Sequence, residues 1–211
     1  MENAFPLEFF KSALVTMLVT LDPPGMAPVF LGLTLSMSGS QRREVALRAC
    51  LIAFAILASF AFGGRFVMDA LGISMPAFRV SGGLLLFYIA FDMLFELRGE
   101  RKQELASEAM TIDHVRNIAA FPLAIPLMAG PGSITATMLL ASRAGGDWRM
   151  LSGLMAIVAV AIGALYLTCL AAERVSALMG QTGKVVVTRM LGVVLGAMAV
   201  QFVIDGVKSV L

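Results

Sequence analysis

From residue 12 to the arginine at 42, the chain carries one charge, Asp22. Five more stretches are nearly as apolar: 45–62, 77–97, 117–142, 150–172 and 185–207. A helix needs about 20 apolar residues to cross hydrocarbon. Lipid offers the backbone no hydrogen bonds, so a lone crossing segment has to be a helix. The pattern therefore predicts an all-α membrane protein with six transmembrane helices. Composition agrees, with 14% charged residues and 59% hydrophobic ones, where soluble domains carry about 25% charge.

The same pattern excludes several classes. A net charge of +2, scattered along the chain, does not suit nucleic acid. Cys50 and Cys169 stand inside apolar runs, where they read as two buried small residues. Thiolate or histidine metal sites lack ligands, and no cofactor is expected. The only histidine, His114, falls in the polar stretch 98–116, which reads as a solvated connector. Intramembrane hydrolysis would need a nucleophile and a base within reach. There is no Ser/His pair, no HExxH and no second acid near Asp22, so an enzyme is not expected. The start "MENAFPLEFFKSALVTMLV" has Glu2 and Glu8 where a signal peptide would carry Lys or Arg. It reads as the retained start of the first span.

Two long apolar stretches are interrupted near their middles, by "LVTLDPPGMAPVF" at 18–30 and "LMAGPGSITATMLL" at 127–140. Proline inside a helix removes a donor and clashes with the preceding turn. Aligning Pro24 with Pro131 gives an offset of 107, which makes Ala129 the counterpart of Asp22. Downstream, "FRVSGGLLLFYIAFDML" resembles "VTRMLGVVLGAMAVQFVIDGV". There Arg79 aligns with Arg189 and Gly82 with Gly192, at an offset of 110. The chain thus reads as two three-helix repeats, about 1–97 and 117–211, joined by the loop 98–116. Three spans per repeat force opposite orientations, an arrangement frequent in secondary transporters.

Discontinuous helices at matching positions point to a midplane binding site. Asp22 is a good N-cap, and Pro23 suits the first helical position. Gly25, Gly130 and Gly132 permit close backbone approach. Ser133 and Thr135 put hydroxyls in the first turn of the second restart. Each restarting helix is expected to point free N–H groups and a partial positive end at its break, suited to a carboxylate. Carbonyls near Thr20, Leu21, Met128 and Ala129 would accept from an ammonium, so one site would suit a small zwitterion. Asp22 either caps only or also touches substrate or a coupling ion. Arg79 with Asp92, and Arg189 with Asp205, read as interfacial anchors or inter-helix partners. Gly82, Gly83, Gly192 and Gly196 read as close-packing positions.

Lys and Arg are denser in the loops after spans one, three and five: Arg42, Arg43, Arg48; Arg98, Arg101, Lys102, Arg116; Arg174, Lys184, Arg189. The other side holds Lys11, Arg65, Arg79, Arg143, Arg149 and Lys208. By the positive-inside rule both termini are expected outside.

The pieces "LDPPGMAPVFLGLT", "RVSGGLLLFYIAFDMLF", "FPLAIPLMAGPGSITATMLL" and "RMLGVVLGAMAVQFVIDGV" resemble the MarC family, which includes small neutral amino-acid transporters. The resemblance implies a bacterial inner-membrane protein, in which the orientation expected from the charge count puts both termini in the periplasm. It implies two inverted repeats with discontinuous first and fourth helices. It further implies uptake or exchange of small neutral amino acids such as glycine or alanine, coupled to protons or sodium. Carried over by position, the site would comprise Asp22, Pro23, Pro24 and Gly25 with Gly130, Pro131, Gly132, Ser133 and Thr135. The alternative is a channel, or an exporter of another small metabolite or drug. A wide drug pocket would need more aromatic lining than Phe30, the only aromatic in the two interrupted stretches.

Overall fold

The structure, a computed structural model, describes residues 4–35, 37–95 and 118–210. The connector 98–116, with His114, lies outside the described residues. Among the described residues every regular element is a helix: α1 (Ala4–Leu21), α2 (Pro23–Leu33), α3 (Gly39–Ala70), α4 (Met75–Leu94), α5 (Ala119–Met128), α6 (Pro131–Arg143), α7 (Trp148–Leu170) and α8 (Ala172–Lys208).

Local chemistry sets where these helices begin. α3 starts on a capping box: Ser38 N donates to Gln41 Oε1 at 2.8 Å, and Gln41 N donates to Ser38 Oγ at 3.4 Å. Ser74 accepts from Ala77 N ahead of α4, and Asp147 accepts from Arg149 N ahead of α7. Gly145 and Gly146, both at positive φ, turn the chain from α6 into α7, a backbone shape other residues resist. α8 is interrupted at Gly180, with φ 56°, so its crossing part is Val185–Lys208.

Five helices are long and apolar enough to cross a membrane, or six when the bent pair α5–α6 counts as one. α3 outruns the expected span, continuing to Ala70 for 32 residues. Its later turns stay helical beyond Phe62 because nothing breaks them before Gly72. Arg65 and Asp69 there form an exposed i,i+4 pair at 3.9 Å.

α4 packs along α8, α3 along α7, α1 along α7 and α5 along α3; α2 lies on α8 and α7, and α6 on α4 and α3. The shared core includes Met17, Leu21, Phe30, Leu57, Leu123, Leu139 and Phe202. Large apolar side chains also face outward, among them Leu84, Phe91, Leu167 and Val193. On helices of this length such a surface belongs in lipid, and the protein is an all-helical membrane protein.

The α4–α8 contact depends on missing side chains. A Cβ on Gly83 would lie 2.8 Å from the Ala199 carbonyl oxygen, and one on Gly192 would lie 3.2 Å from that of Ala90. Small residues let membrane helices approach this closely. Gly82 faces a different helix: its Cβ would meet Thr135 and Leu139 of α6.

Candidate functional site

The first break occupies one residue. Asp22 adopts a left-handed conformation, φ 52° and ψ 64°, and is the only described non-glycine residue with positive φ. Aspartate tolerates this because its short side chain bonds locally. Its Oδ1 accepts from Gly25 N at 3.1 Å. The backbone ladder closes around it: Asp22 N donates to the Leu18 oxygen at 3.0 Å, and Met26 N donates to the Asp22 oxygen at 3.1 Å. Pro23 and Pro24 have no N–H. The expected free donors at the α2 end are therefore absent: two positions are prolines, and Gly25 and Met26 give theirs to Asp22. α1 and α2 together form the span Leu7–Leu33, a more continuous helix than the sequence suggests.

The second break is larger. α5 and α6 meet at a 58° bend. The helix expected from 117 to 129 is irregular: Phe121 and Ile125 are extended, and each precedes a proline, which disfavours helical backbone at the residue before it. The remaining bonds are wide, from Leu123 N to the Ile118 oxygen and from Ala129 N to the Ala124 oxygen. α6 restarts on Gly130 with no side-chain cap. Gly130 thus stands at the start of α6 where Asp22 stands at the start of α2.

Around this restart the packing is close. A Cβ on Gly130 would stand 2.3 Å from the Pro126 oxygen, and one on Gly132 would stand 2.5 Å from Ile89 Cδ1 of α4. Ser133 Oγ donates to the Met128 oxygen at 2.6 Å, with the Gly130 oxygen at 3.2 Å. The Met128 carbonyl, expected to await an ammonium, is thus already engaged. Thr135 turns its methyl toward Gly82.

The structure buries Thr20, Asp22, Pro23, Gly25, Gly130, Gly132, Ser133 and Thr135, leaves Pro24 half-buried and exposes Pro131. Thr20 donates to the Thr16 and Met17 oxygens at 2.8 and 3.2 Å. A contact that the sequence reading missed ties the two interrupted spans together. Thr137 Oγ1 of α6 lies 3.6 Å from Met17 Sδ of α1 and donates to the Ser133 oxygen at 2.7 Å. Thr16 and Thr137 are fully buried. The signal for them was the i,i+4 spacing of Thr16 with Thr20 and of Ser133 with Thr137, which puts each pair on one helix face.

The arginines and acids near the span ends are partly as expected. Asp205 of α8 is an inter-helix partner, as expected: it pairs with Arg143 of α6. Arg79 donates to Ser142, from Nε to Oγ and from a terminal nitrogen to the backbone oxygen, both at 3.3 Å. At the α2 end, Arg42 Nε donates to the Thr34 oxygen at 3.0 Å while its terminal nitrogen pairs with Glu173 at 2.6 Å. Asp92, near the end of α4, is buried. Cys50 and Cys169 are buried free thiols. Among the described residues no three His, Cys, Asp or Glu side chains are grouped to hold a metal.

Residues 7–211 match the family described as MarC family integral membrane protein. A UPF0056 membrane protein of Methanocaldococcus jannaschii is 37% identical over 97% of this chain and 98% of its own length. One from Archaeoglobus fulgidus is 35% identical, covering 99% and 97%. The UPF0056 inner membrane protein MarC of Escherichia coli is 32% identical, covering 97% and 98%. No solved structure matches. With a family match over nearly its whole length and full-length relatives above 30% identity, this multi-pass chain belongs to the MarC family of integral membrane proteins.

Proposed function

We propose that this protein is a secondary transporter of small neutral amino acids, working by alternating access between two inverted three-helix repeats. The observation that carries the reading is the pair of buried helix restarts, at Asp22–Gly25 and Gly130–Ser133, in spans held together by Met17 and Thr137. Irregular backbone at membrane depth is tolerated only where protein or a wet cavity covers it.

The helix contacts support the repeat. α1 on α7 has its mirror in α5 on α3, α2 on α8 in α6 on α4, and α2 on α7 in α6 on α3. The glycine seam carries the same relation at residue level. Gly83 meets Ala199 and Val203, and Gly192 meets Ala90 and Leu94. Adding 109 to Gly83, Ala90 and Leu94 gives Gly192, Ala199 and Val203; Met93, nearest to Gly192, stands outside this relation. This register pairs Gly83 with Gly192, one residue away from the pairing of Gly82 suggested by sequence.

The two restarts take different roles in this reading. α6 has no side-chain cap, so the Gly132 and Ser133 N–H groups receive the substrate carboxylate. The α2 end has its donors filled and offers the Asp22 carboxylate to the ammonium. Binding between them biases the rocking of one repeat against the other, driven by a proton or sodium gradient. The protein sits in the bacterial inner membrane with both termini periplasmic.

The test is labelled glycine and alanine uptake into proteoliposomes under imposed proton or sodium gradients. Saturable, gradient-driven flux is expected, and Gly132→Leu should abolish it while the protein still reaches the membrane. Flux no greater than that of empty vesicles overturns the reading. Flux that never saturates would instead mark a channel.

A further inference from the structure

A cavity of about 420 Å³ opens where the early turns of α1 and α4 meet the last turns of α6 and α8. Glu8, Ser12, Arg79, Arg143, Gln201 and Asp205 line it. None of the interrupted positions does. Along α6, 13 residues long, it lies roughly 20 Å from the Gly130 restart at 1.5 Å per residue. It is a separate place from the midplane site.

One half of this cavity is satisfied internally. Asp205 Oδ2 pairs with Arg143, and its Oδ1 accepts from Gln201 Nε2 at 2.7 Å. The Arg143 guanidinium also lies 4.2 Å from the centre of the Phe202 ring, a further favourable contact for a cation. The other half is not. Arg79 is half-buried, and among the described residues it bonds only to Ser142, a neutral partner, at 3.3 Å. Among the described residues, neither Arg79 nor Glu8 has an ion-pair partner. A guanidinium holding neutral acceptors has donors to spare for a carboxylate, which it binds in a fork. The four charged groups sum to zero, so a plain anion meets two acids and a plain cation meets two arginines. A molecule with both charges meets a partner for each.

We propose that this cavity is an entry site for a small α-amino acid, whose carboxylate binds Arg79 and whose ammonium binds Glu8. This rests on the transporter reading above. The site also has a physical line to the break. Arg79 holds Ser142 at the last turn of α6, and α6 is the helix that restarts at Gly130.

The experiment measures labelled glycine uptake against concentration for the full chain in vesicles of phosphatidylglycerol and phosphatidylcholine. The variants are Arg79→Gln, Arg79→Lys and Glu8→Gln. Loss of one charge-assisted contact should raise KM about tenfold with the maximal rate nearly kept, and Arg79→Lys should recover part of it. Glu8 is exposed and holds no hydrogen bond or ion pair among the described residues, so Glu8→Gln decides the matter even if Arg79→Gln fails to fold. No saturable wild-type uptake overturns the transporter reading itself. Wild-type uptake with an unchanged KM in Glu8→Gln overturns the entry site and leaves the transporter reading standing. A KM effect that arises only when phosphatidylethanolamine is added assigns the cavity to that lipid's zwitterionic headgroup and overturns the amino-acid assignment.

Discussion

The two interrupted spans solve one problem in different ways. At Asp22 a single residue leaves the helical conformation, and its own side chain repairs the gap by taking the Gly25 N–H. The span remains nearly continuous. At Ala129–Gly130 no side chain caps the restart, two extended residues precede it, and the axis turns by 58°. What steadies the second break is packing: the Pro126 carbonyl against Gly130, Ile89 against Gly132, and the Ser133 hydroxyl on Met128. A break held by one hydrogen bond and a break held by close backbone contact should fail under different substitutions.

The largest effect is expected at Gly130. Its φ of −84° suits any residue, so the demand for glycine comes only from space. The nearest atom to an added Cβ is a backbone oxygen, which cannot rotate away. Gly130→Ala should destabilise the protein by about 3 kcal/mol, the upper range for overpacking. Thermal unfolding in detergent measures it. Unfolding together with wild type would mean that α5 does not close over the restart as described.

Asp22 comes next. Asp22→Ala removes a cap, costing about 1 kcal/mol, and leaves alanine in a left-handed conformation, costing about 1 kcal/mol more. Asp22→Asn keeps an acceptor and tolerates the conformation, so it should lose well under 1 kcal/mol. That variant separates the two roles of the acid. If Asp22→Asn is as stable as wild type but does not transport, the charge serves the substrate or the coupling ion. If it transports normally, Asp22 is a cap alone.

The sequence made the helices legible because hydrophobic run length decides a membrane crossing almost alone. It also located both breaks, since Pro23, Pro24 and Gly130–Gly132 have backbone consequences that tertiary context cannot remove. It misjudged their character. Asp22 reads as a cap, but the saturation of the α2 end follows from counting N–H groups, two of which prolines remove. Pro122 and Pro126 stood in plain view as signs that α5 would be irregular. The Arg143–Asp205 pair and the Met17–Thr137 contact were out of reach, because periodicity on one helix does not tell which helix will face it. Gly82 and Gly83 were inseparable for a similar reason: they are adjacent, and only packing shows that Gly83 faces α8 and Gly82 faces α6.

Gly25 tests the first break from the other side. In an open helix, glycine to alanine stabilises by about 1 kcal/mol. Here the new Cβ would lie 2.1 Å from Asp22 Oδ2, so the carboxylate that caps α2 has to move. Gly25→Ala should therefore be destabilising by about 1 kcal/mol: the cap and the local bond that eases the left-handed Asp22, about 1 kcal/mol each, are lost against about 1 kcal/mol of propensity gained. In an Asp22→Gly background, where there is no carboxylate to displace, the same substitution should instead stabilise by about 1 kcal/mol. A stabilising Gly25→Ala in the wild-type chain would show that the cap is not what holds this break.

The smallest effect is expected at Ser133, which isolates the one side-chain hydrogen bond described across the second break. Ser133→Ala removes the donor to the Met128 oxygen and should cost about 1 kcal/mol. Gly130 and Gly132 keep their contacts, so the packing that carries this break is untouched. Transport should respond out of proportion to stability. With Ser133 gone, the Met128 carbonyl is open to a new donor at the place proposed for substrate, and the affinity for glycine should change while the melting temperature barely moves. If both change together, the hydroxyl is part of the frame. If neither changes, the second break rests on its glycines alone, and the contrast with the acid-capped first break is sharper than the hydrogen bonds suggest.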